Sequence, residues 1–230
     1  MQEFEVVSRV DKKAENQKEV LLMAIDFKEP TFIKVSAKKD VKDHTIIQSD
    51  GKNCFIGNEH IGEVLSVKKG SDVSVSTDYD IKYTGGYSLD GKTVYLDEHF
   101  PPILKIQGKE IDIRKTIGLH HELPEKWMAD EDYEYPYAHE VATGIEKKYV
   151  ESLGVTWKAY CDEVDKNLRQ VYRRTLEKSP PSLDLAPYLY CRDREALGEI
   201  RKASLKLTFN EVFQLPVMPS ISLSRKRVHL

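Results

Sequence analysis

The sequence predicts an α+β protein in which a β-rich N-terminal half is followed by a mainly helical half and an extended C-terminal arm. Short β-rich runs separated by polar turns occupy the first part of the chain, and the hydrophobic period changes to that of helices from Asp112. We place a β-rich region at 1–78, an α+β domain at 79–200 and the arm at 201–230. The 230 residues are enough to bury a substantial core.

The strand predictions rest on alternating or β-branched runs that lie between turn residues. In the first region these runs are EFEVVSRV, EVLLMAI, TFIKVSA, HTIIQS, NCFIG and EVLSVKKGSDVSVS. The pattern continues in YDIKYTGGYSLDGKTVYLDE and FPPILKIQGKEIDI, with chain reversals expected at Asp90-Gly91 and Gly108. The domain that starts at residue 79 is therefore expected to begin with strands.

The helical half contains three stretches with helical spacing, IDIRKTIGLHHELPEKWM, YPYAHEVATGIEKKYVESLG and VTWKAYCDEVDKNLRQVYRRTLEKS. The second is expected to end at Gly154 and the third to begin after Thr156, because these residue types are typical helix caps. Pro180, Pro181 and Pro187 predict an extended conformation for SPPSLDLAPYLY. A short helix around DREALGEIRKASL is expected to follow.

Composition limits the class of protein and its setting. With 40% hydrophobic and 32% charged residues the chain is typical of globular proteins, and no run reaches the roughly 18 apolar residues of a membrane span. The charged start MQEFEVVSRVDKKAENQ argues against a secretory signal, and three widely spaced cysteines predict reduced thiols without a cysteine-based zinc site. A formal net charge of −3 offers no general attraction for nucleic acid. We expect neither a membrane nor a nucleic-acid partner.

Two His-Glu pairs lie close together in the helical half. His121-Glu122 is followed by Glu125, and His139-Glu140 comes on the next helix. On a continuous helix His121 and Glu125 share a face, so both could reach one ion, and His139 is the natural third ligand. Zinc accepts imidazole nitrogen and carboxylate oxygen, and we expect it as the cofactor. Glu122 is the expected base, since zinc peptidases pair a metal ion that activates water with a carboxylate that removes its proton.

Several features leave alternatives open. Glu146 lies two turns after His139, where it is either a fourth ligand or a carboxylate that orients His139. His120 is either a core histidine or an alternative ligand. Pro124 removes one helical hydrogen bond. If it begins a new helix, His121 and Glu125 lie on different helices and their spacing no longer places them on one face. The competing interpretation is that the pairs are surface ion pairs without chemistry.

Six motifs follow one another between residues 94 and 188: VYLDE, HELPE, YPYAH, Glu146, GVTWKAY and PPSLDLAPY. In this order they resemble an uncharacterised family encoded by bacteriophages and prophages, whose members look like divergent zincin-like metallopeptidases. The resemblance covers about half of the chain and implies a zincin-like fold for 79–200. It also implies His121, Glu125 and His139 as ligands and Glu122 as base. The chain departs from the family pattern at Pro124, where a helix-compatible residue is expected.

Together these observations predict a phage-encoded, metal-dependent hydrolase that acts on a protein or peptide with zinc bound at its His and Glu residues. The alternative is a non-catalytic phage structural or assembly protein that reuses the fold, which the β-rich front half and the arm suggest. Its partners are then other phage proteins or further copies of the chain. The expected location is the host cytoplasm or the virion.

Overall fold

The protein has an α+β architecture in the computed structural model, which describes residues 1–14 and 17–208. A six-stranded barrel comes first, followed by a three-stranded sheet, a β-hairpin and a series of helices. The order of strands before helices agrees with the prediction. None of the helices in the described ranges is both long and apolar enough to cross a membrane.

The first six strands form a closed antiparallel barrel in the order β1-β2-β3-β6-β5-β4. Their bounds are β1 (Gln2–Ala14), β2 (Gln17–Asp26), β3 (Thr31–Ala37), β4 (Ile46–Ser49), β5 (Asn53–Ile56) and β6 (Glu59–Lys69). Alternate residues point inward, and the interior is filled by apolar side chains such as Val6, Leu22, Ile33 and Ile47. Closure pairs β4 with the first residues of β1, Gln2–Glu5, whereas beyond Val6 β1 has β2 as its one partner strand among the described residues.

A mixed three-stranded sheet follows the barrel. It consists of β7 (Ser74–Tyr79), β8 (Gly85–Tyr87) and β9 (Thr93–Asp97) in the order β7-β9-β8, with β7 parallel and β8 antiparallel to β9. The hairpin of β10 (Ile103–Ile106) and β11 (Lys109–Asp112) comes next. Because β7 pairs with β9, the change from the barrel to the second sheet falls near residue 70, while the division of the chain at residue 78 stays a prediction.

The helical half begins with a π-helical segment, Arg114–Glu122, that continues directly into α1. The α-helices are α1 (Leu123–Ala129), α2 (Tyr135–Ser152), α3 (Trp157–Val171), α4 (Ala186–Tyr190) and α5 (Arg194–Thr208). Both predicted caps are present. Gly154 follows α2 with φ of 72°, and Thr156 Oγ1 accepts a hydrogen bond from Ala159 N–H at 3.4 Å.

Two expectations about the C-terminal part need correction. Pro187 lies inside α4, within its first turn, where a missing N–H costs no helical hydrogen bond; the predicted extended segment therefore ends before it. The arm predicted from residue 201 starts inside a helix, because α5 continues to Thr208. Residues 209–230, the rest of that arm, lie outside the described residues.

One apolar cluster joins the barrel to the helical half. Met23, Ile25 and Phe32 face outward from the barrel and belong to the same cluster as Trp127 of α1. The rings of Phe32 and Trp127 have their centroids 5.6 Å apart, and His120 Nε2 lies 2.7 Å from the Phe27 carbonyl oxygen. The barrel thus supports the helix that carries the candidate site residues.

Candidate metal centre

His121 and Glu125 come from one helix that runs unbroken past Pro124. Within Arg114–Glu122 the amide N–H groups bond to carbonyls five residues earlier, as the N–H of Gly118 does at 3.0 Å. Pro124 has no N–H and lies where this π-helical bonding changes to α-helical bonding. The helix changes its hydrogen-bond register without a break, so the two side chains stay on one face.

Three ligand-type atoms converge on a single point. His139 Nδ1 lies 2.8 Å from Glu125 Oε2 and 3.2 Å from His121 Nε2, and His121 Nε2 lies 3.8 Å from Glu125 Oε2. A tetrahedral zinc ion with bonds of about 2.0–2.1 Å holds its ligand atoms roughly 3.3 Å apart. The three separations lie on both sides of this value, so the three side chains could hold one ion, and His139 reaches the group from α2.

Glu125 is held so that only one of its oxygens faces the two imidazoles. The side chain is 3% exposed, and its second oxygen, Oε1, accepts a hydrogen bond from the Tyr87 hydroxyl at 3.1 Å. Tyr87 belongs to β8, so the sheet fixes the orientation of a carboxylate on the helix. A carboxylate held in this way offers a single well-placed oxygen to an ion.

Glu146 contacts His121 and not His139, the residue it was predicted to orient, and its alternative role as a fourth ligand stays a prediction. Its Oε2 lies 3.0 Å from His121 Nδ1, and its Oε1 accepts a hydrogen bond from the buried Tyr160 hydroxyl at 2.6 Å. Burial lowers the pKa of His121, but the hydrogen bond and charge of Glu146 outweigh it and raise that pKa to about 9. This partner directs the Nε2 of His121 toward the converging atoms.

Glu122 lies against the backbone of β8. A Cβ atom placed on Gly85 would be 2.8 Å from Glu122 Oε1, so the carboxylate occupies space that only glycine leaves free. Burial, followed by the charge of Glu125, raises the pKa of Glu122 above its ordinary value. The carboxylate lines the same cleft as the three ligand-type side chains.

The cleft has a volume of about 420 Å³ and an aromatic wall. The ring of Tyr83 stacks on Tyr188 with centroids 6.0 Å apart and meets Tyr172 edge-on at 5.2 Å. The Tyr83 hydroxyl donates to Asp193, and Tyr135 lies 5.7 Å from His139 between ring centroids. The three residues that carry the converging atoms thus line an open recess with a largely aromatic wall.

Two further histidines, His120 and His99, lie outside this group of ligand-type atoms. His120 is 2% exposed, and both its ring nitrogens lie near backbone carbonyl oxygens, so it is a core histidine. His99 forms a second cluster with Asp80 and Glu98 that the sequence analysis did not single out. There Asp80 Oδ2 accepts hydrogen bonds from two backbone amides, at 2.6 and 3.0 Å, and so fastens the chain after α3.

Three residues that shape the candidate centre were missed by reasoning from the sequence. Tyr87 holds Glu125, Gly85 makes room for Glu122, and Tyr160 holds Glu146. Tyr160 was assigned only to the core stripe of its helix. Gly85 and Tyr87 could be found only from their position in the predicted strand segment YTGGY. The sequence does not show that this segment lies next to the helix that carries Glu122 and Glu125.

Comparison of the chain with protein-family models, with curated proteins and with solved structures finds no match. The resemblance to a phage family accordingly stays a prediction. The geometry of the cleft is the basis for the function proposed below.

Proposed function

We propose that the protein is a zinc-dependent peptidase with a zincin-like centre. The observation that carries this proposal is the convergence of His121 Nε2, His139 Nδ1 and Glu125 Oε2 at separations of 3.2, 2.8 and 3.8 Å beside a buried glutamate. The phage origin, and with it the host cytoplasm or virion as location, belongs to the same proposal. It is drawn from the sequence motifs.

The residues present fit a catalytic zinc ion. Two imidazoles and one carboxylate form a donor set that catalytic zinc sites use, with the fourth position left for water or substrate. His121, Glu125 and His139 would hold the ion, which supplies Lewis acidity toward a carbonyl oxygen and an attacking water. Glu146 and Tyr87 would keep one imidazole and the carboxylate in position, as hydrogen-bonded partners of metal ligands do.

Glu122 would act as general base and then as general acid. It adjoins the ligands in the chain and lines the cleft, so its carboxylate can take a proton from the attacking water. The same carboxylate can return this proton to the amine that leaves when the peptide bond breaks. Gly85 allows the carboxylate to lie close to the strand, which keeps it beside a substrate held there.

The sheet supports a peptide as substrate. Asp97 N–H donates to Thr84 C=O at 3.1 Å and Ser88 N–H donates to Thr93 C=O at 2.8 Å, so the residues that flank β8, Thr84 and Ser88, direct these backbone groups toward β9. Backbone groups alternate in an antiparallel pair, and Gly85 therefore turns its N–H and C=O away from β9 into the cleft. An extended peptide can pair with such an edge.

The proposal predicts a metal content that depends on the three ligands. Purified protein loaded with zinc and then desalted is expected to retain close to one zinc ion per chain, measured by elemental analysis. The double variant His121→Ala, His139→Ala is expected to retain almost none, because one carboxylate remains. His99→Ala is the matched control, since it removes a histidine from the second cluster. Zinc that is lost in the control and kept in the double variant would contradict the proposal.

Glu122→Gln separates catalysis from metal binding. Because Glu122 is not among the converging ligand atoms, this variant is expected to retain zinc at the wild-type level. Hydrolysis of a peptide mixture, followed by mass spectrometry, is expected to fall by about 100-fold or more, as for loss of a general base. Hydrolysis at the wild-type rate would remove Glu122 from the role of base.

A further inference from the structure

One end of the β8 edge is occupied by the chain itself. Leu89 N–H donates to Ser182 C=O at 2.9 Å, Asp184 N–H donates to Tyr87 C=O at 2.8 Å, and Ser88 pairs with Leu183 in antiparallel orientation. The segment 182–184, which we call the edge plug, therefore takes the place of a partner strand. A substrate cannot use the edge there unless it displaces the plug.

The edge plug is fixed in place. Leu183 is 4% exposed and lies so close to Gly86 that a Cβ atom on that glycine would be 2.9 Å from its Cδ1. The Ser182 hydroxyl lies 2.6 Å from the Tyr95 hydroxyl, and Asp184 Oδ2 lies 3.1 Å from Lys126 Nζ. The burial of Leu183 and the polar contacts of Ser182 and Asp184 therefore hold the edge plug against β8.

The open part of the edge is short. At Tyr83 the backbone has φ of 73°, which ends the extended conformation. Residues whose backbone N–H and C=O point away from β9 recur about every 6.6 Å along the strand. Gly85 is the one such residue between Tyr83 and Tyr87, and the edge plug already pairs with Tyr87. Among the described residues, β9 is the one strand that pairs with β8 at Gly85, and no segment pairs there on the opposite edge. This edge can hold about one residue pair, and the 420 Å³ of the cleft falls in the range of small-molecule sites.

The direction of the edge plug indicates which end of a peptide meets it. The plug runs antiparallel to β8 and leaves the edge at Ala186, where α4 begins. A peptide that pairs with Gly85 in the same antiparallel direction would continue the path of the plug, with its first residue against Asp184. A peptide with further residues before that point would collide with the plug.

The charge of the cleft agrees with an amino terminus at this end. Four carboxylates line it, from Glu122, Glu125, Asp184 and Asp193, and the lining contributes only imidazoles as potential cations. Lys126 Nζ contacts Asp184 at 3.1 Å but does not line the cleft, and no other lysine or arginine in the described part of the chain lines it, so the lining favours an ammonium group over a carboxylate. Asp184 is the acidic residue at the plugged end.

We propose that the cleft binds the amino-terminal end of a peptide and that the enzyme removes residues from that end. The inference rests on the proposed peptidase function and adds its substrate class. Water supplies the oxygen and one hydrogen of the new carboxyl group and the hydrogen that completes the new amine. The edge plug excludes cleavage far from the amino end.

Binding to zinc-loaded Glu122→Gln protein tests the inference without relying on turnover. The probes are the tripeptide Ala-Phe-Ala, its N-acetylated form and its C-amidated form, measured by calorimetry. The free and the amidated peptides are expected to bind alike, and the acetylated peptide about 10-fold or more weakly. Equal affinity for the acetylated and free peptides, or a selective loss on amidation, would overturn the inference.

Asp184→Asn and Asp130→Asn form a matched pair of variants in the same background. Both carboxylates contact Lys126 Nζ, at 3.1 and 2.8 Å, but only Asp184 lines the cleft. The first variant is expected to reduce the preference for the free amino terminus to about threefold or less. The second is expected to leave it unchanged. An equal loss in both variants would assign the effect to Lys126 and contradict the inference.

Cleavage by the wild-type protein distinguishes this inference from the function on which it rests. Zinc-loaded protein is incubated with a ten-residue peptide and its N-acetylated form, and the products are identified by mass spectrometry. Stepwise shortening of the free peptide from its amino end is expected. Internal cleavage of both peptides would overturn the inference and leave the peptidase proposal standing. No cleavage of either peptide by protein with full zinc content would overturn both.

Discussion

At the scale of single residues, the centre depends on how each carboxylate is held. Glu125 presents Oε2 to two imidazoles because Tyr87 binds its Oε1, and Glu146 is held between His121 and Tyr160. Both carboxylates contact a histidine of the centre, yet their partners give each a different role. Glu122 is the one whose place depends on the absence of a side chain, at Gly85.

Gly85→Ala is therefore expected to impair catalysis while leaving the metal ligands intact. The new methyl group would lie 2.8 Å from Glu122 Oε1, so the carboxylate must move, and a misplacement of about 1 Å can reduce a rate by about 100-fold. Zinc content should stay near the wild-type value. Gly144→Ala is the control, because a Cβ there has no neighbour within 4 Å. Equal rates for both variants would mean that Glu122 is free to move.

At the scale of elements, α1 connects the site to the barrel. Glu125 points into the cleft, and Trp127, two residues later, packs in the cluster shared with the barrel. The preceding π-helical segment brings His121 to the same face as Glu125, and its register change coincides with Pro124. A short helix thus positions site residues because it is packed on both sides.

Trp127→Ala is expected to destabilise the protein by about 3–5 kcal/mol, as other large-to-small changes at buried aromatic positions do. Trp127 is 3% exposed and its ring lies against Phe32 of the barrel. Urea unfolding followed by circular dichroism measures the loss. The other tryptophan provides the comparison, since Trp157 is only partly buried and Trp157→Ala should cost less. Equal decreases in the free energy of unfolding would show that the contact between α1 and the barrel contributes no more to stability than the packing of Trp157.

At the scale of the whole molecule, the barrel has its own core and also supports the helical half. Beyond Val6, β1 has β2 as its one partner strand among the described residues, so the assembly alternative could use this strand edge for pairing with another subunit. That alternative predicts self-association that is indifferent to a chelator, which size-exclusion chromatography with and without EDTA tests. The candidate centre itself joins ligands from two helices, so an ion bound there would stabilise their packing.

Zinc is expected to raise the thermal stability of the wild-type protein. A ligand that binds only the folded state at 100 times its Kd adds about 2.7 kcal/mol, and for a chain of this size each kcal/mol shifts Tm by about 2–4 °C. We therefore expect a rise of about 5–10 °C by calorimetry, reversed by EDTA. The His121→Ala, His139→Ala protein should show almost no rise. A similar rise in both proteins would place the zinc elsewhere.

The sequence by itself determined the features that local chemistry controls. Periodicity and capping residues predicted the α+β order, the limits of α2 and the start of α3, since these depend on neighbours a few residues apart. The predicted stretch for α3 ran to Ser179 and was too long, because the helix ends at Val171. The i, i+4 spacing also paired His121 with Glu125 and suggested His139 as a third ligand. The first of these inferences needed only the geometry of one helix, whereas His139 lies on the next helix and its role as a ligand stays a prediction.

Only the tertiary structure decided which distant segments meet. It closed the barrel, assigned β7 to the second sheet, gave Glu146 to His121 and brought Gly85 and Tyr87 to the helix that carries the site. Each of these depends on the pairing of strands or the packing of helices that lie far apart in the chain. Local patterns show which face of an element is apolar, but many partners can cover such a face, and the packing of the whole chain selects one of them.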